Sequence, residues 1–351
     1  MTDLGAAGVA PDVDRRRSTD RRILRLAFPA LGALAVEPVY ILVDTAIVGR
    51  IGTDELAGLA IAAAVLSFVF AGANFLTYGT TEQVARRLGA GEDRAAANVG
   101  VQAMWVAVAV GVVAAPTIAL LASPICRAFG ASGDVLDHAT TYLGISTIGI
   151  PFFVLTLAAQ GVLRGASDYT TPLWILVAAN VANLLIELVL VFGLDMGVAG
   201  SALSTVLAQI GGAIAFLVVL RHRLRTATVR RPDRAAMRPL MSAGGNLLLR
   251  VGSMLAVFGG ATAVAGRIDD ETLAAHQVVS SLFIFLALTL DALAVPAQTI
   301  VAEDLGRRDR ASARFVAGRA VRLSVWLGIG LGLALAALAP LLPYLFTDDG
   351  E

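Results

Sequence analysis

Two carboxylates stand out because each lies inside a segment apolar enough to cross a lipid bilayer. Asp44 lies five residues from the end of the apolar segment 23–49, and Glu187 lies six residues from the end of 171–193. At about 1.5 Å per helical residue, both would lie roughly 8–9 Å below the same membrane surface. Ionisable groups at such depth usually have a function. Two carboxylates in a low-dielectric site cannot both stay ionised, so the pair would take up a proton or a cation.

Three uncharged polar residues are predicted at nearly the same depth. Tyr142 lies in segment 138–161, Thr205 in 198–220, and Asn183 one helical turn before Glu187 on the same helix face. Together with the acids they would form a cation-sized or proton-relay site. Taken singly, each of the three could instead do no more than bind a neighbouring helix.

A second pair of charges suggests a structural role. Arg250 lies 10 residues after the start of segment 240–265 and Asp291 lies 8 residues before the end of segment 273–299, so the two are expected at similar depth. We expect them to meet as a buried salt bridge that fixes two helices. The alternative is that Asp291 binds a substrate or an ion.

The elements that must position these residues are membrane-spanning helices. The chain is 57% hydrophobic and 15% charged, with a mean hydropathy of +0.77, whereas about 25% of an ordinary soluble domain is charged. Its apolar runs reach the length that crosses about 30 Å of hydrocarbon. The sequence therefore predicts an all-α, polytopic membrane protein with nine spans, at 23–49, 56–80, 97–121, 138–161, 171–193, 198–220, 240–265, 273–299 and 315–345.

The distribution of Arg predicts the orientation. All 27 basic residues are Arg; 21 of them fall in the N-terminal region and every second loop, against three in the other loops. The positive-inside rule then places the N-terminus in the cytoplasm. The basic loop 221–238 is interpreted as a topological anchor and linker, with no nucleic acid as partner. We find no phosphate loop, catalytic triad or metal-binding Cys/His cluster, and the single Cys126 excludes an internal disulfide, so we expect no enzyme activity and no cofactor.

An internal repeat at an offset of 217 residues predicts two lobes. Residues 49–51, 56–57 and 84–89 recur without gaps at 266–268, 273–274 and 301–306. One repeat unit holds six spans, so both copies would share one orientation. We predict a cytoplasmic tail at 1–22, a six-helix first lobe at 23–220, a linker at 221–238, and at 239–351 only the first three helices of a second, C-terminally truncated lobe.

Several motifs resemble the multidrug and toxic compound extrusion (MATE) family, and some resemble its DinF (DNA-damage-inducible protein F) branch. They run from about residue 20 to the end of the chain, and are fairly specific together but weak singly. They are residues 43–49, 161–165 with Asp168 and 171–173, 183–187 with 197–202, 249–250, and 287–293.

The resemblance implies a two-lobe bundle of twelve helices that exports organic cations and amphipaths in exchange for protons or Na⁺. The family's acid in the first span matches Asp44, and its second acid, usually Asp, is here Glu187. Tyr142, Asn183 and Thr205 match associated positions, and Gln160 matches a further amide position although its predicted depth is near the cytoplasmic end.

The expected function is a proton- or Na⁺-coupled antiporter, working by alternating access as a monomer in the bacterial inner membrane. Na⁺, if it is the coupling ion, would bind at Asp44 and Glu187. One alternative is a lipid-linked oligosaccharide flippase of the same superfamily, which should have a basic cavity. Another is a membrane or damage-response protein without transport activity, which would tolerate loss of both acids.

Overall fold

The computed structural model describes residues 9–338, and within that range every regular element is a helix. Eleven α-helices follow one another, with a π-helical turn at Val189–Gly193 and a 3₁₀ turn at Leu224–Thr226. The α-helices are α1 Val9–Val48, α2 Thr53–Ala73, α3 Phe75–Gly89, α4 Asp93–Ala128, α5 Gly133–Ser146, α6 Ile150–Gly165, α7 Thr170–Leu188, α8 Gly197–Arg223, α9 Arg234–Ile268, α10 Asp270–Gly306 and α11 Arg310–Leu338.

Each predicted span corresponds to a helix or a pair of helices. Seven stretches are long and apolar enough to cross a membrane, and the pair α5–α6 makes an eighth. The helix α9 covers the remaining predicted span, and the apolar part recognised among its described residues is Gly252–Thr262. The part of the last predicted span beyond residue 338 lies outside the described residues.

Three of the predicted spans are not single regular helices, and segment 56–80 is interrupted briefly at Asn74, between α2 and α3. Segment 138–161 is two helices, α5 and α6, bent by 52° at their junction. Pro151 at the start of α6 offers no N–H to the preceding turn, which favours a break at this point. Segment 171–193 ends in the π-helical turn Val189–Gly193 directly after α7, and such irregular turns are frequent at functional sites.

The helices bury small residues between them and turn large apolar side chains outwards. The largest buried cluster draws mainly on α2 to α6 and α8, with many Ala among its members, so the helices approach closely. Leu120 and Phe28 are 83% and 82% exposed. An outer surface of this kind suits contact with lipid, and the chain is a multi-pass membrane protein.

The two copies of the repeat cross at a pair of glycines. Gly89 ends α3 and Gly306 ends α10. A Cβ on Gly89 would overlap the Glu303 carbonyl, and a Cβ on Gly306 would overlap the Arg86 carbonyl. Residues 86 and 89 become 303 and 306 at the repeat offset of 217. The contact is therefore reciprocal, as a twofold relation between the copies requires.

The Arg-rich end of the bundle, here called the basic end, includes the start of α1. Within the predicted tail 1–22, α1 begins at Val9 and continues into the span. Arg22 lies 2.5 Å from Glu303, and Asp20 pairs with Arg319. These ion pairs hold the start of α1 against α10 and α11.

Candidate functional site

Asp44 is buried between α1 and α8. Its side chain is 5% exposed, and the hydroxyl of the fully buried Ser201 donates a 2.7 Å hydrogen bond to Asp44 Oδ1. Asp44 lies one turn before the end of α1, and Ser201 one turn after the start of α8. A hydrogen bond to a carboxylate is stronger than one between neutral groups, so Ser201 fixes the rotamer of Asp44.

Glu187 is buried more deeply and is less satisfied. It lies at the end of α7, is 1% exposed, and has Asp44 and Ser201 as electrostatic neighbours. No protein donor reaches either of its carboxylate oxygens. A buried acceptor without a donor is uncommon and costly, above all when it is charged. A proton or a cation at the carboxyl group of Glu187 would lower the cost of burying it.

Hydroxyl and amide groups extend the site away from the acids. The hydroxyls of Tyr40 and Thr205 lie 2.8 Å apart, and Asn183 Nδ2 donates to Thr205 Oγ1 at 3.3 Å. Thr205 in turn donates to the Ser201 carbonyl at 3.1 Å. Tyr142 is 5% exposed and lies beside Asp44, Thr205 and Ser201. Polar groups from α1, α5, α7 and α8 thus form one buried cluster, here called the acid cluster.

The structure brings together five of the residues that the sequence singled out: Asp44, Glu187, Asn183, Tyr142 and Thr205. The sequence reasoning missed Tyr40 and Ser201. The signal for each was available, because Tyr40 lies four residues before Asp44 and Ser201 four residues before Thr205. Residues at this spacing share a helix face.

Gln160 lies elsewhere. Its Oε1 accepts a 2.8 Å hydrogen bond from Arg164 in the last turn of α6, and both side chains are buried. The basic end of α6 holds this pair, whereas the acid cluster lies near the opposite ends of α1 and α7. Gln160 therefore belongs with Arg164 and not with Asp44, as its predicted depth indicated.

The buried salt bridge predicted between Arg250 and Asp291 is not formed. Both side chains are exposed, and no ion pair joins them within the described part of the chain. Arg250 is still near enough to act on Asp291 through its charge, and both act on Tyr78. Depth along a helix does not determine the direction in which that helix turns its side chain.

An apolar cavity of about 320 Å³ lies between α1 and α7, next to the acid cluster. Its walls are mostly aliphatic, with Val36, Val39 and Val181 among them, and Tyr40 and Asn180 add polar groups. Because Tyr40 also contacts Thr205, this cavity and the acid cluster share a side chain.

The acid cluster can hold one positive charge between two carboxylates. A proton would make one of the acids a donor to the other, whereas Na⁺ would require oxygen ligands. The acid cluster supplies oxygen ligands from Glu187, Asp44, Thr205 and the side-chain amide of Asn183. The amide oxygen Oδ1 of Asn183, like the oxygens of Glu187, has no protein donor. Hard cations prefer such oxygen donors.

An all-helical membrane protein with polar and acidic groups buried between its helices fits the class of membrane transporters. The profile of the MatE family matches residues 29–189 and 248–351. The chain belongs to the MatE family, whose members are transporters.

Curated relatives agree with this assignment. The chain is 30% identical over 302 residues to DNA damage-inducible protein F of Escherichia coli (strain K12), covering 83% of this chain and 65% of the relative. It is 32% identical over 344 residues to Protein DETOXIFICATION 44, chloroplastic, of Arabidopsis thaliana, covering 94% and 65%. The chain thus spans about two thirds of the length of these relatives.

A solved structure titled "Crystal structure of MATE in the bent conformation" has the same fold. It superposes with a TM-score of 0.88 at 21% identity, over 94% of this chain and 75% of that chain. A second, described as a MOP superfamily transporter from Pyrococcus furiosus with a binding pocket of reverse polarity, gives a TM-score of 0.84 at 22% identity, over 95% and 75%.

Proposed function

We propose that this protein exports cationic or amphipathic small molecules in exchange for protons or Na⁺, by alternating access of its two lobes. The observation that carries the proposal is Glu187, which is 1% exposed, lies beside Asp44 and has no protein donor at either oxygen. A proton or cation that neutralises this pair lowers the cost of burying it. Binding and release of the ion would then change the relative stability of two conformations.

The neighbouring cavity supports an amphipathic substrate. It is lined mainly by aliphatic side chains and reaches the acid cluster through Tyr40. A substrate with an apolar body and one positive charge could place the body in this cavity and compete with the coupling ion for the acids. The protein would act as a monomer in the bacterial inner membrane, with its N-terminus in the cytoplasm.

The exposed guanidinium group of Arg250 favours a second candidate function, the transport of an anionic or lipid-linked substrate. Arg250 is exposed, and no ion pair joins it to Asp291 in the described residues. A free cation on α9 could attract a phosphate or carboxylate group of a substrate. In this second candidate the acids would still couple the ion, and only the substrate would differ.

The experiment is dye transport by the full chain in sealed vesicles. A proton gradient and a Na⁺ gradient are imposed separately, and a cationic dye and an anionic dye are supplied in turn. We expect one gradient to drive the cationic dye, and Asp44→Asn to abolish that transport, because Asn keeps the shape of Asp but cannot exchange a proton. Equal amounts and equal melting temperatures of the two proteins in the membrane are the control.

Two results would contradict the proposal. Transport of the anionic dye alone would favour the second candidate. Undiminished transport by Asp44→Asn would remove the acid cluster from the mechanism.

A further inference from the structure

A second cavity lies at the basic end, between α4 and the segment that follows α8. Its volume is about 580 Å³, and its lining combines two apolar side chains with four basic ones. The apolar residues are Val101 and Leu224, and the basic residues are Arg221, His222, Arg225 and Arg230. The acid cluster has no part in this cavity.

The arginines of this cavity lack acidic partners. Within the described residues, the nearby Asp168 is bound by Arg223 at 2.9 Å, and no carboxylate forms an ion pair with Arg221, Arg225 or Arg230. Like charges held together repel one another, so the cluster is favoured when an anion lies between them. A charge cluster of this sign predicts an anionic ligand.

The cavity is built by a side-chain clamp on α4. The Asn98 Oδ1 accepts hydrogen bonds from the N–H groups of Thr228 and Val229 at 2.8 and 3.0 Å. Asn98 is the first of three residues, Asn98, Gln102 and Trp105, that share one face of α4.

The other two residues bind the linker further along. Gln102 donates to the Arg231 carbonyl and accepts from Asp233 N–H, each at 2.9 Å, and Trp105 Nε1 donates to the Arg230 carbonyl at 2.9 Å. A basic linker that served only as a charge anchor would need none of these bonds. The clamp holds Arg230 opposite Arg221 and Arg225.

An apolar path leads from the cavity towards the hydrocarbon. Trp105 is 40% exposed beside the arginines, and Val112, two turns further along α4, is 59% exposed. On α8, Val218 is 58% exposed before the first Arg of the cluster. Both α4 and α8 pack against α6, and both turn exposed apolar side chains outwards beyond the cavity. Tryptophan at the level of the cavity fits the interfacial region of a bilayer.

We propose that this cavity binds the phosphate headgroup of an anionic phospholipid, with an acyl chain along the exposed apolar side chains of α4 and α8. The arginines recognise the phosphate by charge and by paired N–H donors. The combination of a basic head and an apolar path favours a lipid over a soluble anion. Bound in this way, the lipid would tie α4 and α8 to the linker that joins the two lobes.

The test is titration of the purified full chain with phospholipids, read out by native mass spectrometry. Phosphatidylglycerol and phosphatidylcholine with the same acyl chains are compared. We expect tighter binding of phosphatidylglycerol, and about a hundredfold weaker binding of it by the triple variant Arg221→Gln, Arg225→Gln, Arg230→Gln. A control triple, Arg308→Gln, Arg310→Gln, Arg314→Gln, removes the same charge from another loop at the basic end and should bind like the wild type.

Several outcomes would overturn the proposal. They are equal binding of the two lipids, equal losses in both triples, and release of the lipid by inorganic phosphate at matched concentration, which would assign the site to a soluble anion. If the first triple does not fold, Trp105→Phe serves instead, because it keeps the aromatic ring and removes only the bond to the Arg230 carbonyl. It should weaken binding of phosphatidylglycerol and leave that of phosphatidylcholine unchanged.

Discussion

At the scale of single residues, Asp44 and Glu187 differ in what surrounds them. Asp44 accepts a hydrogen bond from Ser201, whereas no protein donor reaches Glu187. The protein therefore supports the two acids differently. In the proposed cycle, Asp44 is the acid that the protein holds in place, and Glu187 is the acid that would bind the coupling ion.

Ser201→Ala tests the support of Asp44. A hydrogen bond to a charged group is worth about 1.5–3 kcal/mol, so we expect transport to fall roughly tenfold or more while the protein stays folded. The measurement is the initial rate of dye transport in vesicles. The matched control is Ser204→Ala, because Ser204 is equally buried but donates only to the Ser201 carbonyl at 2.7 Å. Equal rates in both variants would show that the bond to Asp44 has no role.

At the scale of elements, the crossing of α3 and α10 is a close contact between the two copies of the repeat. Neither Gly89 nor Gly306 leaves room for a Cβ, since backbone of the other helix occupies the place. Glycine is required here for close approach. The contact lies at the basic end of the bundle.

Gly89→Ala should destabilise this crossing of α3 and α10. A Cβ there meets backbone atoms, and forced overpacking costs typically about 1–3 kcal/mol. We expect a lower melting temperature of the purified protein. The control is Gly79→Ala on the same helix, where the nearest atom is Leu240 Cδ2 at 3.8 Å and the gain in helix propensity should leave stability equal or higher. A melting temperature unaffected by Gly89→Ala would refute the tight crossing.

Much of the arrangement of helices and buried polar residues could be predicted from the sequence. Each prediction that failed did so for a specific physical reason. Hydropathy placed the helices, because the bilayer fixes their length and composition. Depth from the helix ends brought five polar residues into one cluster. Depth did not predict correctly whether Arg250 and Asp291 form a salt bridge, because depth gives no information on how each helix is rotated about its axis.

The clamp of α4 on the linker was missed for a different reason. Asn98, Gln102 and Trp105 bind backbone atoms of the linker, and such contacts leave no pattern in the sequence of the partner segment.

At the scale of the whole molecule, a second contact joins the lobes near the basic end. Tyr169, in the loop between α6 and α7, is 2% exposed, and its hydroxyl lies 2.6 Å from Thr299 Oγ1 and donates to the Val295 carbonyl at 3.3 Å. Burial raises the pKa of Tyr169 to about 12. The phenol therefore remains a donor at every pH at which transport would be measured.

A double-mutant cycle with Tyr169→Phe and Thr299→Val measures this contact. A typical internal hydrogen bond contributes about 0.5–1.5 kcal/mol, so each variant should lower stability and the two effects should not add. Thermal unfolding of the four proteins in one detergent gives the coupling energy. Fully additive effects would mean that the two hydroxyls do not interact in the folded protein.

The central claim is that the buried pair of Asp44 and Glu187 couples an ion to transport, and Glu187→Gln tests it most directly. Gln keeps the size of Glu but cannot release a proton or carry a negative charge. In vesicles, we predict that this variant still exchanges labelled for unlabelled dye when no ion gradient is present. Accumulation of dye driven by an imposed proton or Na⁺ gradient should be lost. Gradient-driven accumulation at the wild-type rate would contradict the account.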